Sequence, residues 1–242
     1  MPSDLPRINF NRSRLTCLLT DLALVDADEP GAAFAERWGH WLGVADAIAL
    51  SAALAGGRTI PAEPTSLQPE QSLRTACEDI RYSLELSIRS SCAPNGTGRN
   101  KLPPPDTNDF LPYQRYYQAH QRDMELAIRP LRARVRAVLM SSLPALKQLA
   151  VLDQLFDDTL SSRESRLLAS VPVLLEKHFT CLRQDAANQV NDDAPPYAWR
   201  TAFGQKLQAA LLAELELRLL PVVGLIEAFE HAGLPAQNYF RK

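Results

Sequence analysis

The stretch LPALKQLAVLDQLFDDTLSSRESRLLASVPVLLEKHFTCL, residues 143–182, decides the fold. Its apolar stripe runs through Leu146, Leu149, Leu152, Phe156, Leu160, Leu167, Val171, Leu174, His178 and Cys181/Leu182. The steps are threes and fours, with one step of seven across Arg163 and Glu164. That spacing keeps one side of an α-helix apolar. The segment is expected to be a central helix, or a kinked pair, against which the others pack. Ser170 can cap a new helix and Pro172 can open its first turn, so an irregularity is expected between Ser161 and Pro172.

The same reading extends along the chain. Before the central stretch, residues 109–141 carry Tyr113, Tyr117, His120, Met124, Ile128, Leu131, Val135 and Val138 on one side. Pro130 should kink that helix without ending it, because the stripe stays in phase across it. After it, residues 197–231 place Phe203, Leu207, Ala210/Leu211, Glu214/Leu215, Arg218/Leu219, Val222 and Ile226 on an apolar side, with a bend expected at Pro221. Nearer the start, a helix from about Pro69 carries Leu73, Cys77, Ile80, Leu84 and Ile88, and two more are expected over 13–25 and 32–54. No turn signal is flanked by alternating apolar residues, so no β-hairpin is expected. The fold class read from the sequence is all-α, a bundle of about seven helices, several long and proline-kinked.

Residues 93–108 change composition, with Asn95-Gly96, Gly98 and Pro103 to Pro105 in succession. They read as a loop and as the expected boundary between an N-terminal helical part, 1–92, and a C-terminal long-helix bundle, 109–242. Composition bounds the function. The 242 residues carry 26 basic and 28 acidic side chains, a net charge of -2, which gives no global attraction to nucleic acid or anionic membrane. Arg outnumbers Lys 21 to 5, which suits forked ion pairs between helices. The four cysteines, Cys17, Cys77, Cys92 and Cys181, form no C-x-x-C pair, so reduced thiols and a cytoplasmic setting are expected. Met1 to Asn11 is polar, so no signal peptide is expected. No apolar run approaches the ~20 residues of a membrane helix.

Four groups of residues could carry chemistry. Arg115, Arg122, Arg129, Arg132 and Arg136 share one side of the 109–141 helix, opposite its apolar stripe. They form a candidate interaction face for an acidic protein or, as the alternative, for nucleic acid, and a solvated face is the plainer reading. Asp153 and Asp157 suit salt bridges on or between helices better than a metal, because no Glu-x-x-His accompanies them. His178 and Cys181 could supply two zinc ligands, but no matching second pair exists, which leaves a core histidine. Trp38, Trp41 and Asp46 form a candidate pocket, with core packing of the indoles as the plainer alternative. No catalytic residue, cofactor or metal is expected.

Phe34-Ala35-Glu36-Arg37-Trp38 with Trp41-Leu42 and Asp46 to Leu54, Pro130 to Arg134, Arg166 to Ala169 with Pro172, Leu174 to Phe179, and Leu211 to Leu215 together resemble a proteobacterial all-helical family of unknown function, number 3348. The resemblance covers most of the chain outside the loops expected at 93–108 and 186–196. It implies an all-helical protein with no assigned catalytic residue. It also implies gene neighbours encoding stator-like and OmpA-like membrane proteins. The function expected on that basis is a non-enzymatic interaction or scaffold protein, a soluble partner of a membrane-associated assembly. A homo-oligomer is compatible with it, and insertion into a membrane is not expected.

Overall fold

The computed structural model describes residues 14–15, 17–18, 48, 51–52, 54, 71–91, 102–103, 109–188 and 198–233. About 94% of these are helical and none lies in a strand, so the protein is all-α. The helices are α1 (Gln71–Ser91), α2 (Leu111–Met140), α3 (Pro144–Ala169), α4 (Val171–Asn188) and α5 (Ala198–Gly233). Only Ser170 separates α3 from α4, so among the described residues there are four continuous helical stretches, not about seven. The helices expected over 13–25 and 32–54 fall largely outside the described residues, as does the boundary loop 93–108 apart from Leu102 and Pro103.

Local chemistry sets the helix ends. The Leu111 amide donates to Asp109 Oδ1 at 3.2 Å, which satisfies one of the open donors at the start of α2. At the other end, Ser141 and Ser142 each donate their hydroxyl to the Val138 carbonyl at 2.8 Å, closing α2 before Pro144 opens α3. The expected irregularity falls at Ser170. Pro172 has no amide to give the carbonyl of Leu168, and the Gln121 side-chain amide donates to that carbonyl at 3.0 Å instead. The Ser170 carbonyl then starts α4 by accepting from Val173 and Leu174. α2 and α5 continue through Pro130 and Pro221 without ending.

The helices form two compact units. The first draws on Ser87–His120 and Ser170–Leu217. Its core is aromatic: Phe203 lies 5.1 Å from Phe179 and 5.2 Å from Tyr113 between ring centroids, both nearly edge-on. Phe110 and Trp199 extend the cluster. Edge-on rings set positive edges against negative faces, which adds to their area burial. In this unit α5 is the most completely buried element, with Ala210, Leu211, Ala213, Glu214 and Leu215 all at 1% exposure or less. A helix buried on so many sides is central to its neighbours. The central role expected for residues 143–182 therefore belongs, in this unit, to α5.

The second unit contains Gln121–Ala169, most of α1 and the described residues from Arg218 onward. Leu73, Cys77 and Leu84 of α1, Met124, Ile128, Leu131, Val135 and Val138 of α2, and Leu219, Val222, Leu225 and Ile226 of α5 are buried in it. On α3 the buried residues are Leu146, Ala150, Val151, Leu155 and Leu168. Of the expected stripe, Leu146 and Val171 are buried, but Leu152 and Phe156 are half-buried and Leu167 is exposed, an adjacent apolar residue facing the core in place of each.

Candidate functional site

The Arg stripe of α2 divides in the structure. Arg115, Arg122 and Arg129 are exposed. Arg132 and Arg136 are not on the open face; they turn toward α3 and meet Asp153 and Asp157. Arg132 donates Nε and Nη2 to the two oxygens of Asp153 at 2.9 and 2.7 Å, a bidentate fork, and Nη1 to Asp157 at 3.0 Å. Arg136 donates Nη1 to both aspartates at 3.0 Å. The side chains are only 10% (Asp153), 12% (Arg136), 16% (Arg132) and 24% (Asp157) exposed. Burial alone would lower the Arg132 pKa, but its hydrogen bonds to Asp153 and the field of Asp153, Asp157 and Glu164 raise it. The quartet is a neutral, interlocked clamp between two helices.

Beside this clamp lies a groove of about 290 Å³. Arg129, Arg132, Arg136 and Arg218 line it, and so do Glu125, Asp157, Asp158 and Glu164, with Ser161, Ser162 and Ser165 along one wall. Four cations face four anions, so the groove presents no net sign to a charged ligand.

The open side of α2 has a different character. Leu126 is 75% exposed, and it shares a shallow hollow with Arg122, Glu125, Arg129 and Pro130. Arg122 lies four residues before Leu126 and Arg129 three after, so both guanidiniums flank it on one side of the helix. Neither forms an ion pair with a described residue, in contrast to Arg132 and Arg136. The hollow is an apolar knob with cationic borders.

His178 is half-buried, its ring 6.4 Å from that of Phe203, and burial followed by the charge of Lys206 lowers its pKa. Among the described residues no group of three or more His, Cys, Asp or Glu could hold a metal ion. Cys77 is buried and Cys181 half-buried, both as thiols, and burial raises the Cys77 pKa. Trp38, Trp41 and Asp46 lie outside the described residues. One polar contact escaped the sequence reading. Glu214, fully buried on α5, accepts a hydrogen bond from the Tyr117 hydroxyl of α2 at 2.8 Å. Both residues stand on the apolar sides read from the sequence, and a carboxylate at such a position was the signal that a buried partner must exist.

Fold and surface together define an all-helical protein with a neutral Arg–Asp clamp between two helices and an exposed apolar knob bordered by arginines. The chain belongs to the family DUF3348, described as a protein of unknown function, which it matches over residues 1–231. No curated protein and no solved structure matches it. No described helix is long and apolar enough to cross a membrane.

Proposed function

We propose that this protein is a non-enzymatic interaction or scaffold protein, a soluble cytoplasmic partner of a membrane-associated, stator-like assembly in bacteria. The observation that carries the interaction reading is the exposed Leu126 between Arg122 and Arg129. Arginine is enriched at protein-binding hot spots, an exposed leucine adds apolar area to bury, and the charges help select the partner. The carboxylates that could otherwise serve an acid–base reaction, Asp153 and Asp157, are held by Arg132 and Arg136. The membrane-associated partner follows from the gene neighbourhood that the family resemblance implies. Cys77 and Cys181 form no disulfide, which fits the cytoplasmic setting.

Affinity isolation of the tagged full chain from its native host, with mild detergent and quantitative mass spectrometry, tests the proposal. Enrichment of stator-like or OmpA-like components over an untagged control supports it. A strictly monomeric protein that enriches nothing refutes it. Nucleic-acid binding is the second reading, because Arg115, Arg122 and Arg129 remain exposed at seven-residue intervals. It requires salt-sensitive binding to DNA or RNA, weakened by Arg122→Glu/Arg129→Glu. Withdrawal of Arg132 and Arg136 into ion pairs leaves it fewer phosphate contacts than the full stripe would give.

A further inference from the structure

We infer that the open side of α2 between Arg122 and Ala133 is the seat for one acidic, amphipathic helix of a partner protein; the inference rests on the interaction reading above and specifies its partner. Three features of this side converge. First, Leu126 and Ala133 are both exposed and stand seven residues apart, so they lie on one line along the helix. With exposed Pro130 between them, at steps of four and three, they make a short apolar seam that a second helix can match with its own. Second, Arg122 and Arg129 repeat the same interval along one edge of that seam, about 10 Å apart at 1.5 Å per residue. Charges at that interval beside an apolar seam meet carboxylates of the same spacing on a facing helix. Glu125 lies on the same edge and offsets one of the two charges, so the field stays modest and the pairing must be local.

The third feature is in the backbone. Pro130 has no amide hydrogen, so the carbonyl of Leu126 lacks its usual donor four residues on in α2. Pro172 frees the Leu168 carbonyl in the same way, and there the Gln121 side chain fills the gap at 3.0 Å. At Leu126 no described side chain does so. The seat therefore offers, next to its apolar centre, a carbonyl without its usual helical donor, which a hydroxyl or amide side chain of the incoming helix can approach. A second copy of this chain fits poorly. It brings the like charges of Arg122 and Arg129 to the same edge, where an acidic helix brings opposite ones. Nucleic acid has no use for the apolar seam.

The test places the photo-crosslinking residue p-benzoylphenylalanine at Ala133 in the full chain, expressed in its native host, and sequences the crosslinked segment. The expected adduct is a partner segment with helical apolar spacing and Asp or Glu at seven-residue or one-turn intervals. In an Arg122→Glu/Arg129→Glu background its yield falls at least about tenfold, with the circular dichroism spectrum unchanged. An adduct with lipid, nucleic acid, a second copy or a basic segment overturns the inference. So does the absence of any adduct, or a yield indifferent to the two substitutions. If affinity isolation still enriches a partner while crosslinking at Ala133 fails, the interaction reading survives and this seat falls.

Discussion

Replacing Asp153 with Ala tests the clamp between α2 and α3 most directly. It removes an acceptor of three charge-assisted hydrogen bonds, two from Arg132 and one from Arg136. Both arginines stay where they are, 16% and 12% exposed, with Asp157 as the remaining partner. Breaking a fully buried pair costs about 3–5 kcal/mol, because the surviving charge has lost its water and its partner. Partial exposure screens some of that, and Asp157 retains a share of the attraction, so about 2–3 kcal/mol is expected. For a chain of this size that lowers Tm by roughly 4–12 °C. Asp157→Ala should lower it less, because Asp157 accepts two such bonds and is 24% exposed. The assay is thermal and urea unfolding followed at 222 nm, with a double-mutant cycle between Asp153→Ala and Arg136→Ala to isolate the coupling. If Asp153→Ala shifted stability by less than about 0.5 kcal/mol, the range of an ordinary surface change, the clamp would not be holding α2 to α3.

Three further outcomes follow from the same physics. Tyr117→Phe deletes the hydroxyl that donates to buried Glu214 and should cost about 1–3 kcal/mol, measured by urea unfolding. Gly224→Ala should raise stability by about 0.5–1 kcal/mol, because a Cβ there meets nothing within 4 Å and alanine favours the interior of α5; a lowered Tm would refute this. For His178 the folded pKa lies below the usual 6.5, so the unfolded state binds the proton first as pH falls. Its contribution is fully present above 6.5 and is lost as pH drops through the lowered folded value. Unfolding free energy should therefore decline from pH 7 toward acid, with a smaller slope in His178→Gln.

Much of this architecture is written in local patterns. All eight apolar-side residues read for α2, from Tyr113 to Val138, are buried, because they recur at steps of three and four on one side; adjacent Tyr116 and Leu139 are buried with them and widen the stripe. The break near Pro172 was legible for a covalent reason, the missing amide. Residues 143–182 were harder. Val151-Leu152, Leu155-Phe156 and Leu167-Leu168 are adjacent apolar pairs, and a period of 3.6 cannot say which member of each faces inward. Tertiary packing chose Val151, Leu155 and Leu168.

Charge was legible in kind but not in partnership. The sequence by itself determined an all-helical chain, the side of α2 that carries its arginines, and the presence of Asp153 and Asp157 one turn apart. Only the tertiary structure decided that Arg132 and Arg136 are spent on those aspartates, while Arg122 and Arg129 stay open around Leu126. Helix periodicity is set by each residue's neighbours within a turn. An ion pair between residues 17 to 25 positions apart depends on which sides two helices present to each other, and that is fixed by the whole core.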